Sequence, residues 1–131
     1  MSRCILTIVV CLVPFYFCSC ESDNFFDKYP PEIIYYQYDR VETTEFNQIT
    51  LEQGVTDYTL KARVSAPNKL AVINVYRDAQ LVLNIVDFTK ESKDSEYYLS
   101  CPLSNISGKV IIRTEAKDKK GNVTVKEFSI N

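Results

Sequence analysis

From residue 33 onward, apolar and polar side chains alternate with a period of two, and this constrains the fold more than any other feature. In Tyr58-Thr59-Leu60-Lys61-Ala62-Arg63-Val64-Ser65-Ala66, every second residue from Tyr58 is apolar, while Thr59, Lys61, Arg63 and Ser65 are polar. Successive side chains of a β-strand point to opposite faces, so this run is a strand with one dry face and one wet face. That is the pattern of an antiparallel sheet covering a core on one side. Val110, Ile112, Thr114 and Ala116 alternate in the same way with Ile111, Arg113, Glu115 and Lys117. Ile112 is thereby expected in the core and Arg113 at the surface. Over the same region, no stretch repeats its apolar residues at helical spacing.

The remaining strands follow from shorter runs. Leu70 to Tyr76 and Leu81 to Phe88 flank Arg77-Asp78-Ala79-Gln80 as a hairpin. Glu96 to Leu103 puts Tyr97, Leu99, Cys101 and Leu103 on its inner face and sends Tyr98 and Ser100 outward. Ile33 to Val41 and Ile49 to Leu51 are shorter candidates. The turn Asp118-Lys119-Lys120-Gly121-Asn122 places Gly121 where a positive φ is needed. In the last strand Val123 and Val125 share one parity and Phe128 and Ile130 the other, which predicts a bulge near Lys126-Glu127. The sum is an all-β antiparallel sandwich of about seven strands.

Leu70-Ala71-Val72-Ile73-Asn74-Val75-Tyr76-Arg77, together with Val110 to Ala116 and the turn that follows, resembles the Ig-like domains of Bacteroidetes lipoproteins. The resemblance spans about residues 33–131 and rests on strand pattern and one turn. It implies a module at the cell envelope, in a nutrient-uptake or adhesion setting. The chain departs from antibody-type domains: it has no Trp and no cysteine pair to bridge the sheets.

Residues 1–19 read differently. Arg3 is the only charged residue before Cys20, and Ile5 to Phe17 form an almost unbroken apolar run that includes Pro14. A positive start, a short apolar core and small residues before a cleavage point describe a secretory signal peptide. The run is shorter than the roughly 20 residues that a spanning helix requires. Phe17-Cys18-Ser19-Cys20 resembles the lipobox of bacterial lipoproteins, with Phe17 in place of the usual leucine. The resemblance implies lipidation of Cys20 and attachment to a membrane through acyl chains. Residues 20–32 then read as the lipidated cysteine and an acidic, proline-containing tether. Glu21 and Asp23, just past the cysteine, resemble the signal that exports Bacteroidetes lipoproteins to the outer surface. Of the five cysteines, Cys101 is left alone and without a disulfide partner, unless an unmodified Cys20 were to pair with it.

Composition narrows the chemistry. The chain has no histidine, which removes the commonest general base and the commonest neutral metal ligand. Its formal net charge of −2, with signs interspersed, lacks the basic footprint of a nucleic-acid partner. Three glycines leave little room for a phosphate-cradling loop. The carboxylate pairs Asp87 with Glu91 and Asp94 with Glu96 sit in loop-like stretches and read as solvated acids. Asp118 and Asn122 bracket the last turn with oxygen ligands, but Lys119 and Lys120 lie between them and turn formation accounts for both. Asn105-Ile106-Ser107 and Asn122-Val123-Thr124 match a eukaryotic glycosylation sequence by chance. The expectation is a non-catalytic protein with no cofactor and no metal.

The tyrosines carry the binding signal. Adjacent strand residues face opposite sides, so some of Tyr35, Tyr36, Tyr38, Tyr97 and Tyr98 point away from the core. Outward tyrosines offer rigid, amphipathic contact area. Isoleucine occurs on both faces of the early strand and Asp39 opposes Arg40, so parity leaves its two faces open; with Arg40 continuing the face of Tyr36 and Tyr38, the expected recognition surface is Tyr36, Tyr38 and Tyr98. The expected role is an accessory module, lipid-anchored to the outer membrane and surface-exposed, that binds a protein partner or a glycan. The alternative is a structural subunit of a pilus-like or adhesin-like surface assembly.

Overall fold

The computed structural model describes residues 26–37, 46–88 and 94–131. The segment 1–19, Cys20, Tyr38 and Glu91 lie outside the described residues, as does the end of the early strand candidate.

Among the described residues, eight strands form two sheets: β1 (Glu32–Tyr36), β2 (Gln48–Ile49), β3 (Tyr58–Ser65), β4 (Leu70–Arg77), β5 (Gln80–Ile85), β6 (Glu96–Leu103), β7 (Val110–Asp118) and β8 (Val123–Ile130). One sheet has the order β1-β3-β6 and the other β2-β8-β7-β4-β5. The chain crosses between sheets after β1, β2, β3, β5 and β6, which is the Greek-key path of an immunoglobulin-like sandwich. The expected antiparallel pairing holds everywhere except at β2, which runs parallel to β8. A hairpin can join only antiparallel strands, and β2 reaches β8 from the far end of the chain, so its direction is unconstrained by a turn.

Alternation does the packing. From the three-stranded sheet, Ile33, Tyr35, Leu60, Ala62, Val64, Leu99, Cys101 and Leu103 point inward. They meet Ile73, Val75, Val110, Ile112, Ala116, Phe128 and Ile130 from the other sheet. Ile112 is fully buried and Arg113 exposed, as the register requires. Phe128 is the hub. Its ring lies 5.1 Å from Tyr35 and 5.2 Å from Phe46, both edge-on, and stacks on Tyr58 at 5.9 Å.

Three local expectations are corrected. The β7–β8 ladder runs without a break from Val110↔Ile130 to Lys117↔Val123, so β8 has no bulge near Lys126-Glu127. Val123 and Val125 instead face solvent, about half exposed, and Thr124 and Lys126 take the inner face. Register shifts fall in the ladders of β4 instead: in the β4–β5 hairpin, where Val75 pairs with Leu83 and Tyr76 with Leu81, and against β7 between Leu70 and Val72. That hairpin closes with two residues, Asp78 (φ 45) and Ala79 (φ 72), the positive pair of a type I′ turn. β5 ends at Ile85, and Phe88 leaves the strand to pack edge-on against Tyr97 at 5.5 Å.

Residues 26–31 lie against the sandwich, whereas the sequence reads them as tether. A 3₁₀ turn, Phe26–Lys28, precedes a buried Pro31. The Asn122 amide donates to the Asp27 carbonyl (2.7 Å), the Thr124 hydroxyl to the Pro31 carbonyl (2.6 Å) and the Lys126 ammonium to the Ile33 carbonyl (3.0 Å). Asn122 of the β7–β8 turn and Thr124 hold this segment while Lys126 bonds the start of β1, and the donors Thr124 and Lys126 on the inner face account for the change of parity in the sequence.

Candidate functional site

The outer face of the β1-β3-β6 sheet brings the outward tyrosines together. Register sets three rows across it: Tyr36–Lys61–Ser100, Ile34–Arg63–Tyr98 and Glu32–Ser65–Glu96. Tyr36 and Tyr98 sit on the two edge strands, one row apart, close enough for aromatic rings to meet. Their ring centroids are 6.4 Å apart at 77°, an edge-to-face contact. Both are half-buried. Ile34 shares this face beside Tyr36, buried yet outside the core cluster. The Arg63 side chain, mostly buried, forms an ion pair with exposed Glu32 at 3.6 Å. The face therefore combines a buried isoleucine, two tyrosine rings and charges of both signs.

An open groove of about 400 Å³ extends this face at the Glu32–Ser65 row, where Tyr29, Pro30, Pro67 and Ser95 complete its walls. The Tyr29 ring is 45% exposed, which adds a third aromatic surface that alternation misses because Tyr29 precedes the first strand. Of the expected set, Tyr36 and Tyr98 are brought together and Tyr38 is outside the described residues.

Tyr35 takes the opposite role to its neighbour. Its ring is fully buried, and its hydroxyl bonds both the Thr114 hydroxyl (2.9 Å) and the Lys126 carbonyl (2.7 Å). Burial pushes its phenol up to about 12, against the opposing effect of the Thr114 hydrogen bonds and with a small addition from Glu127. Cys101 is buried on the inner face of β6, and burial raises its thiol pKa. The low thiolate fraction suits a small core hydrophobe.

Asp118 organises the last turn. The N–H groups of Lys120 (2.9 Å) and Asn122 (2.8 Å) donate to one carboxylate oxygen, and the amides of Asn122 (2.8 Å) and Asn68 (3.5 Å) to the other. Burial alone would raise this carboxyl, but the hydrogen bonds from Asn122, Lys120 and Asn68 outweigh it and hold the group below its ordinary value. Its oxygens are thus engaged within the protein. Asp94 pairs with Lys69 at 3.3 Å and Lys119 at 3.9 Å, as a solvated loop acid does. Among the described residues, no group of three or more His, Cys, Asp or Glu is placed to hold a metal ion, and no helix is long and apolar enough to cross a membrane.

Comparison with protein-family models and with curated proteins finds no match. A solved structure of fibronectin(III)-like modules of Clostridium thermocellum CbhA is similar over 77% of this chain and 45% of its own, with a TM-score of 0.47 and 12% identity. The chain thus spans less than half the length of that structure.

Proposed function

We propose that this protein is a non-catalytic, lipid-anchored binding module of the bacterial outer surface, and that the outer face of the β1-β3-β6 sheet recognises a polypeptide partner. The observation that carries the reading is the Tyr36–Tyr98 pair beside buried Ile34, flanked by the Arg63–Glu32 ion pair. Tyrosine and arginine are the residue types enriched where proteins meet. A half-buried, edge-to-face pair presents ring edges with charges around them. A sugar ring packs best on a flat exposed aromatic face, so this geometry favours a polypeptide over a glycan. The groove walled by Tyr29, Pro30 and Pro67 would take an extended segment of that partner. The missing histidine and the ion-paired Asp94 support the non-catalytic reading.

Anchoring rests on the lipobox resemblance at Cys20. With Cys20 in the membrane, only residues 21–25 separate it from the docked segment at Phe26. The six steps from Cys20 to Phe26 span at most about 22 Å, so the sandwich would sit close to the bilayer with its β7–β8 turn toward it. One experiment addresses both parts. A photocrosslinking residue at Ser100, exposed beside the tyrosine pair, should give one discrete protein adduct on intact cells. Tyr36→Ala with Tyr98→Ala should abolish the adduct, and Cys20→Ala should release the protein from membranes. Absence of any protein adduct, with retention on a polysaccharide gel that depends on the tyrosines, would make the ligand a glycan.

A further inference from the structure

The four sheet edges differ in how they are guarded. An exposed edge presents unpaired N–H and C=O groups, and proteins protect such edges with charge, proline or shortness. β1 is short and carries Glu32, β2 has two residues, and β6 carries Glu96 and Pro102, whose ring removes a donor. Among the described residues, β5 has none of these protections beyond its bulge. Gln80-Leu81-Val82-Leu83-Asn84-Ile85, continuing into Val86, contains no charge, no proline and no glycine. It is the last strand of its sheet, and Leu81, Val82 and Val86 are 50%, 41% and 64% exposed. Val82 is the bulged residue, without a partner on β4, and Gln80 and Leu81 lie out of phase beyond it, so the stretch open to pairing begins at Val82.

That stretch, Val82-Leu83-Asn84-Ile85-Val86, reads the same in chemical character from either end. We propose that β5 pairs antiparallel with β5 of a second copy about a two-fold axis at Asn84, joining two five-stranded sheets into one. In this register Val82 lies opposite the second copy's Val86, Leu83 opposite its Ile85, and Asn84 opposite its own counterpart. Leu83 and Ile85 already pack inward against the core, while Asn84 is exposed on the outer face, bonded to Asn74. Every matched pair therefore lies on one face and extends the surface it belongs to. Leu83 and Ile85 turn their main-chain groups toward Val75 and Ile73 of β4, so those of Asn84 and Val86, of the other parity, turn to the open edge and meet those of the second copy. A two-fold contact of this kind is self-complementary and closes at two subunits. The pairing is independent of the β1-β3-β6 face and leaves it open.

Sedimentation equilibrium of the purified full chain tests this. The wild type should show a monomer–dimer equilibrium. Asn84→Lys places two ammonium groups across the axis and should weaken association by about tenfold or more, with the far-ultraviolet circular dichroism of the folded chain unchanged because residue 84 is exposed. The paired variant Val82→Lys with Val86→Glu should dimerise, since each lysine meets a glutamate, whereas Val82→Lys with Val86→Lys should not. A wild type that stays monomeric overturns the proposal. So does association that ignores Asn84→Lys, which would place the contact elsewhere in the chain, or equal behaviour of the two double variants, which would mean another register.

Discussion

The inner face of β8 passes through two environments within eight residues. At its end, Phe128 and Ile130 are fully buried and Phe128 contacts the rings of Tyr35, Phe46 and Tyr58. At its start, Thr124 and Lys126 face the same way but donate to the carbonyls of Pro31 and Ile33. One half is closed by the opposite sheet, through apolar contact. The other is closed by the main chain leading into β1, whose carbonyls need donors. Alternation of hydrophobicity reports what covers a strand as well as which way its side chains point. An inward polar residue marks a place where the cover is backbone.

The largest test of this contrast is Phe128→Ala. It removes the hub of the aromatic cluster and should cost about 3–5 kcal/mol, read from chemical denaturation. A cost as small as that of a surface change would mean the apolar half is not what holds the sheets together.

Asp118→Ala probes the polar half. It leaves the Asn122 amide and two main-chain donors without their acceptor, and hydrogen bonds to a charged group are worth about 2 kcal/mol. The effect should also depend on pH. The native carboxyl is held below its ordinary value, so its stabilisation is complete above the unfolded value of about 3.9. It is lost as the pH falls through the native value. Acid should therefore destabilise the wild type more than the variant. Parallel acid limbs would show that the carboxylate plays no such role.

Tyr35 joins the two halves, with its ring against Phe128 and its hydroxyl on Lys126 and Thr114. Tyr35→Phe keeps the ring and should cost about 1 kcal/mol, the smallest of the three. The wild-type phenol is pushed up to about 12, against about 10 in the unfolded chain. Its contribution is therefore present below about pH 10 and fades toward about pH 12. The variant should lose less stability over that alkaline window, measured by fluorescence-monitored unfolding. An unchanged alkaline limb would mean that the phenol is solvated.

Most of the fold was legible in strand patterns. The alternation of 58–66 and 110–117 reappears as β3 and β7 with the same residues inward, and the division of Tyr97 from Tyr98 holds. For the binding surface, parity alone left the two faces of β1 undecided, because isoleucine occurs on both. Structure resolves it: Tyr35 is buried, and Tyr36 faces outward with Ile34 to meet Tyr98 across Lys61 and Arg63 of β3. The pairing of Tyr36 with Tyr98 depends on β3 lying between β1 and β6, a long-range order that no local pattern encodes.

By itself the sequence determined the all-β class, the strand positions and the absence of histidine chemistry, because side-chain period and residue type are local properties. Tertiary structure alone decided the parallel docking of β2, the packing of 26–31 against β8, the outward turn of Val123 and Val125, and the unguarded edge of β5. Each of these depends on what lies across from a strand, and a backbone hydrogen bond to a distant segment leaves no periodic trace in either partner.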